Sequence, residues 1–315
     1  MKINVEKCAG LLKKENDFAI LCHAHPDGDT LGSGFALLRA LQKLGKRAKL
    51  LCDDEIPAKY EYLYNDIESQ NFEEKYIIAV DVATENLLGG LQEKYAGRVD
   101  LCIDHHGTNT DYAKNLLLNA DAAANCEIIL KVIKALGVVI DKKMAECLYT
   151  GLTTDTGCFR YSSTTSNTYR SAAELIDLGA DNGYINRLMF ETKTKKFAAL
   201  ERLAIEGMQF FLDERVCVIT ITNEMYKKTG TTELDTEALP PLTRQIEGVE
   251  IGLTIREKND GACKCSIRTF ESVNAAQLAQ AFGGGGHKQA AACRFDCDVK
   301  TATDLLVEKS KELLR

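Results

Sequence analysis

Nothing in the 315 residues approaches the roughly 18 consecutive apolar positions of a membrane-spanning helix. The opening MKINVEKCAGLLKKEND lacks the hydrophobic stretch of a signal peptide, so a cytoplasmic protein with no membrane partner is expected. Also missing is any CxxC pair, although there are 12 cysteines; the tightest spacing is Cys263-x-Cys265. Several cysteines sit inside apolar runs, as in AILC (19–22), LLC (50–52) and DLCI (100–103), which reads as buried, reduced thiols acting as small hydrophobes. A basic excess is absent: 39 Lys and Arg against 46 Asp and Glu leave −7. That balance is poor for gripping a long duplex. A small anion held locally is still compatible with it, because bound divalent cations reverse the field of a carboxylate-rich site. No repeat or low-complexity segment is found.

The length favours two domains and a large core. Through the first half, apolar strand-like runs (FAILC 18–22, AKLLC 48–52, YIIAV 76–80, VDLCI 99–103) alternate with helical periodicity at 31–44, 125–136, 142–154, 166–179 and 182–191. Continuous apolar strands between amphipathic helices predict an α/β fold with a mostly parallel sheet flanked by helices. The stretch 191–212 reads as a connecting helix, and beyond it VCVITIT, EIGLTIRE and CKCSIRTF, with helices at 274–282 and 301–314, predict a smaller α/β domain over 213–315.

Histidine is scarce: His23, His25, His105, His106 and His287. Four of the five follow predicted strands in the company of aspartate, and a third strand, YIIAV, ends at Asp81. The carboxyl ends of parallel strands form the ligand-binding rim of such a sheet. Asp155, in GLTTDTGCFRYSSTT (151–165), is a fourth candidate. Each piece has an ordinary explanation, since Asp27-Gly28 is a common turn pair and a lone aspartate after a strand is more often a helix cap. Four coincidences that use most of the histidines favour a metal site. A His and Asp donor set without cysteine suits Mn²⁺, with Co²⁺ or Fe²⁺ as alternatives, zinc admissible and Mg²⁺ less suited. There are carboxylates enough for two ions, and such a pair clamps an in-line displacement at phosphorus.

In order, HAHPDGDTLGS, AVDVA, DHH and GLTTDTGCFRY resemble the four motifs of the DHH phosphoesterases. FGGGGHKQAAAC resembles the glycine-rich motif of the DHH-associated substrate domain, so the likeness spans residues 23 to about 293. The resemblance implies a DHH catalytic domain over 1–190 with a dinuclear site, a connector over 191–212 and a substrate-binding domain over 213–315 across a cleft. It implies His23, Asp27 and Asp81 on one metal and Asp29, Asp81, His105 and Asp155 on the other, with Asp81 bridging. Asp104 would orient His105, His106 would face the substrate phosphate, and His25 is left without a role.

Arg268 matches the family's phosphate-binding arginine, and Arg160 is a candidate for phosphate contact beside Phe159 and Tyr161. The run Gly284, Gly285, Gly286, His287 has neither dinucleotide-fold nor P-loop spacing. It reads as a helix C-cap or as a nest of amides closing on an anion. Ala292 stands where the family often has glycine.

The implied activity is that of the small-oligoribonucleotide hydrolases, which release mononucleotides and dephosphorylate 3′-phosphoadenosine 5′-phosphate. The partners expected are short RNA oligonucleotides and small phosphorylated nucleotides, with a homodimer as the candidate assembly. A cyclic-di-AMP or pApA phosphodiesterase shares every motif. A manganese pyrophosphatase lacks the GGGGH type of motif, and a RecJ-like nuclease needs a longer basic track. A catalytically inactive nucleotide-binding regulator is the alternative from another class, although every matched ligand position is filled.

Overall fold

The apolar runs of the first half form one parallel sheet. Its strands are Phe18–Leu21 (β1), Ala48–Leu51 (β2), Tyr76–Val80 (β3), Leu101–Asp104 (β4) and Asn115–Leu118 (β5), in the order β2-β1-β3-β4-β5. In this computed structural model every residue is described except Glu237, Glu271, His287, Arg315 and the side chain of Leu234, and the chain divides into two units, Met1–Thr192 and Lys193–Arg315. The helices of the first unit are Val5–Lys14 (α1), Gly28–Lys43 (α2), Gln92–Tyr95 (α3), Asn125–Leu136 (α4), Lys142–Asp155 (α5), Ser166–Asp177 (α6) and Asn182–Asn186 (α7).

Strand residues alternate between two cores, as the pleat requires. Phe18, Ile20, Ile78 and Val80 pack with Leu12, Leu37, Ile129 and Leu148 under the long helices α1, α2, α4 and α5. Ala19, Leu21, Ile77 and Ala79 face the other way, against Leu88 and Tyr95 of short helical turns and Val99 of the loop before β4. The sheet is therefore thickly covered on one face and thinly on the other. β5, the run NLLL, adds a strand to those read from the sequence; it is short and carries no alternation to announce it.

The second unit contains Lys195–Glu206 (α8), Gln209–Phe211 (β6), Val216–Ile221 (β7), Asn223–Thr229 (α9), Pro240–Thr243 (α10), Ile251–Glu257 (β8), Cys263–Thr269 (β9), Ala275–Gln280 (α11), Gly285–Gly286 (β10), Ala290–Phe295 (β11) and Val299–Leu313 (α12). Its mixed sheet runs β10-β11-β9-β8-β7-β6, with only β7 and β8 parallel. From Lys193 onward the stretch 191–212, expected as a connector, falls within this unit. Phe197, Leu200 and Ala204 of α8 pack on Ile219 and Ile221 of β7, so its apolar stripe is a core face and not the surface of a linker. All 12 cysteines are free, and none is exposed. No helix among the described residues is long and apolar enough to cross a membrane.

The first glycines of α2 let it lie close against α5. A Cβ on Gly32 would sit 2.3 Å from the Cys147 carbonyl oxygen and 3.1 Å from the Gly151 amide nitrogen, backbone atoms that cannot swing aside. Gly32→Ala should therefore destabilise the protein by about 1–3 kcal/mol in urea unfolding, the usual cost of overpacking. Gly10, in the exposed middle of α1, has nothing within 4 Å of a built Cβ. Gly10→Ala should instead be neutral or stabilising by up to about 1 kcal/mol.

Candidate metal centre

With the strand order β2-β1-β3-β4-β5, the chain leaves β1 and β3 in opposite directions. The crevice at the carboxyl ends of those two strands is where such sheets take ligands. His23 lies two residues beyond β1, Asp81 directly follows β3, and His105 and His106 directly follow β4. Asp27 is the N-cap of α2; its side chain accepts hydrogen bonds from the Asp29 and Thr30 amides at 2.9 and 3.1 Å. The cap reading of that turn is thus correct, and it also aims the aspartates. Asp155 closes α5.

These side chains converge. His23 Nε2 is 3.6 Å from Asp27 Oδ1 and 3.7 Å from Asp81 Oδ2. His105 Nε2 is 3.4 Å from Asp81 Oδ1, 3.5 Å from Asp155 Oδ2 and 3.9 Å from Asp29 Oδ2. One donor atom each from His23, Asp27 and Asp81 fits within 4.8 Å, as does one each from Asp29, His105 and Asp155. Asp81, His105 and His106 make a third such group, so Asp81 turns one oxygen toward His23 and the other toward His105 and His106.

The donor chemistry fits divalent ions. Each of the two histidines points its Nδ1 at a backbone carbonyl, His23 at Ala24 (2.8 Å) and His105 at Ala122 (3.1 Å). A carbonyl only accepts, so Nδ1 carries the hydrogen and, in the neutral ring, Nε2 presents a lone pair to the carboxylates. Lone pair against anion is repulsive unless a cation or proton lies between. Asp81 Oδ1 is buried without any hydrogen-bond partner, an expensive omission for a carboxylate. Burial and the neighbouring Asp29 charge push the Asp81 carboxyl well above its ordinary value, and burial with Asp29 does the same to Asp155. Burial disfavours a charged His23 ring, but Asp27 and Asp81 outweigh it and raise the ring to about 11. Two like charges about 4 Å apart repel by about 4 kcal/mol at an effective dielectric of 20. Bound cations remove that cost.

Asp29 is held from far along the chain. Its carboxylate accepts from the Asn125 and Cys126 amides at 2.5 and 2.9 Å, at the first turn of α4. Those donors and the helix dipole favour negative charge there, the dipole by about 0.3–1 kcal/mol. Neither amide was foreseen, because a backbone donor has no residue signature. Asp104 behaves differently from expectation. It does not orient the His105 ring; its Oδ1 lies 2.8 Å from His106 Nδ1 and also accepts from the His105 and His106 amides. Its other oxygen accepts from Asn109 at 2.7 Å, a partner the sequence reading missed. Burial opposes its charge, yet the His106 and Asn109 hydrogen bonds hold the Asp104 carboxyl below its ordinary value. His106 is turned toward Asp104 and Asp81, with Nδ1 3.5 Å from Asp81 Oδ1.

His25 lies outside the converging groups. Its Nδ1 is 2.7 Å from Asp54 and its side chain is mostly exposed, so it braces the loop. Arg160 is exposed just beyond Asp155, its Nε donating to the Gly157 carbonyl at 2.5 Å. In the second unit, Arg268 lies on β9 opposite Ala290. Gly283 and Gly284 donate to the Gln280 and Ala279 carbonyls, which caps α11, while Gly285 and Gly286 pair with Ala292 and Ala291. The amides of 283 and 284 are thus committed to the helix end. His287 lies outside the described residues.

Asp81 has φ +59°, a left-handed conformation that Asn adopts more readily than Ala. Asp81→Asn without metal should therefore unfold at a temperature no lower than wild type, since it removes one of the crowded charges. Wild-type Tm should rise on adding Mn²⁺, and the Asn variant should lose most of that rise; differential scanning calorimetry checks both.

Residues 17–152 match the N-terminal domain of the DHH family and residues 213–315 match the DHHA1 domain. Over 307 residues the chain is 30% identical to the bifunctional oligoribonuclease and PAP phosphatase NrnA of Thermus thermophilus, covering 95% of this chain and 91% of that one. It is 24% identical over 274 residues to the NrnA of Bacillus subtilis, covering 84% and 85%. A crystal structure of an exopolyphosphatase-related protein from Bacteroides fragilis shares the fold, with a TM-score of 0.90 at 24% identity over 98% of this chain and 97% of that one. Two DHH-type domains in order, with 30% identity across nearly the whole of a curated relative, place the chain in the DHH family of phosphoesterases.

Proposed function

We propose that this protein hydrolyses short oligoribonucleotides to nucleoside monophosphates and removes a phosphate from 3′-phosphoadenosine 5′-phosphate, using two divalent ions, Mn²⁺ foremost. The observation that carries the reading is the sharing of Asp81 between two His-Asp groups at the switch point of the sheet. The activities named for the NrnA relatives support the choice of substrates.

His23, Asp27 and Asp81 would hold one ion, and Asp29, Asp81, His105 and Asp155 the other. Bound there, the pair supplies positive charge to both the attacking and the leaving oxygens of an in-line displacement at phosphorus. The remaining work falls to side chains. Asp81 fixes the spacing of the site from a buried, left-handed position. Asp104, anchored by Asn109 and two backbone amides, sets the orientation of His106, which we assign to the phosphate undergoing transfer. Arg160, Arg268, Gly285, Gly286 and His287 are assigned to the substrate's other phosphates and its terminal nucleotide, while Gly284, also a sequence candidate, spends its amide on the cap of α11.

The test compares initial rates with Mn²⁺ on RNA dimers to pentamers, 3′-phosphoadenosine 5′-phosphate, pApA, cyclic-di-AMP and pyrophosphate. The first two classes should be turned over best. Pyrophosphate as the sole good substrate, or cyclic-di-AMP far ahead of all others, would overturn the reading, and metal-loaded protein inactive on every compound would make it a binding protein. Asp104→Asn should lower activity by up to about 100-fold, the usual loss when a side chain that acts on the substrate is misplaced.

A further inference from the structure

Among the described residues of the first unit, the exposed large aromatics are Tyr161, Tyr169 and Tyr184, at 43%, 56% and 41%. All three fall in the stretch that follows Asp155. Tyr184 packs edge-on against Tyr62; the other two are arranged differently. Gly157, Cys158 and Phe159 have φ of +56°, +59° and +61°, a left-handed run that turns the chain back on itself. Thr156 holds the turn, its Oγ1 accepting from the Phe159 amide and its carbonyl from those of Arg160 and Tyr161.

The turn lays the Tyr161 ring over Gly157, where a Cβ would be 2.4 Å from the ring's Cζ. It also carries Phe159 into a ladder of rings. Tyr149, in the core, lies 6.2 Å from Phe159, and Phe159 stacks on Tyr169 at 5.4 Å with planes 23° apart. The ladder thus climbs from a buried ring to one that is more than half exposed.

Two cations border it. Arg160 donates to the Gly157 carbonyl, and Arg170 to Ser166 Oγ and Asn167 Oδ1. Neither is in an ion pair with a carboxylate among the described residues. Exposed aromatic faces interleaved with arginines suit single-stranded nucleic acid, whose bases stack and whose phosphates pair. Phe159 is four residues from Asp155, at most about 14 Å along the chain.

We propose that Tyr169, stacked on Phe159, and Tyr161 form a platform for the bases of nucleotides beyond the one at the scissile phosphate, with Arg160 and Arg170 facing the intervening phosphates. The platform rests on the oligoribonuclease reading and deepens it. It sets how the enzyme distinguishes an oligomer from a single nucleotide.

Steady-state kinetics on an RNA pentamer and on 3′-phosphoadenosine 5′-phosphate test it. Tyr169→Leu should raise KM for the pentamer about tenfold or more, the worth of one stacked base, and leave the mononucleotide kinetics at wild-type values. Tyr169→Phe should restore the pentamer KM, because the ring and not the hydroxyl carries the stack. Tyr161→Leu should repeat the Leu result at the second ring. An unchanged pentamer KM, or equal losses on both substrates, would overturn the platform. A wild-type enzyme that cleaves no oligoribonucleotide would overturn the functional reading itself, and the platform with it.

Discussion

Buried carboxylates that cannot share a site without cations are the constraint on which the first unit depends. Asp29 and Asp81 are almost wholly buried, and each lies close to a histidine whose hydrogen-bearing nitrogen is already bound to a backbone carbonyl. Imidazole edges and several carboxylates face one another there, which crowds negative charge into a buried site. The arrangement persists because the surroundings over-determine it. The first amides of α4 grip Asp29, the turn after β3 fixes Asp81, and the N-cap of α2 sets Asp27.

That gripping needs close helix packing. Gly32 lets α2 approach the backbone of α5, and a Cβ on Gly151 would meet Cys126 Sγ at 2.3 Å and Asp29 Oδ1 at 2.6 Å. The same approach brings Asp29 to the start of α4. The glycines of the HAHPDGDTLGS segment thus serve packing, and the precision of the candidate metal centre is inherited from the core beneath it.

How much of this the sequence disclosed depends on what each feature is made of. Side-chain features were legible: apolar runs gave β1 to β4, periodicity gave α4 as Asn125–Leu136, and scarce histidines beside aspartates gave the converging groups. Features made of backbone were not. The Asn125 and Cys126 amides and the Ala24 and Ala122 carbonyls have no residue identity to read. Asp104 was assigned to the wrong histidine because its reach depends on the turn after β4, where both following amides and the His106 ring fold back to it. α8 looked like a connector since its partners, Ile219 and Ile221, lie on a strand that follows it. The glycine run hid a strand, as β10 is defined by its pairing with β11 and not by its own composition.

In the proposed function Asp81 is shared by two ions. Titration of the metal-free protein with Mn²⁺, followed by low-temperature electron paramagnetic resonance, tests it directly. A shared Asp81 requires two Mn²⁺ per chain and the spectrum of a magnetically coupled pair. Saturation at one ion per chain, or two ions with the spectrum of isolated Mn²⁺, would contradict it.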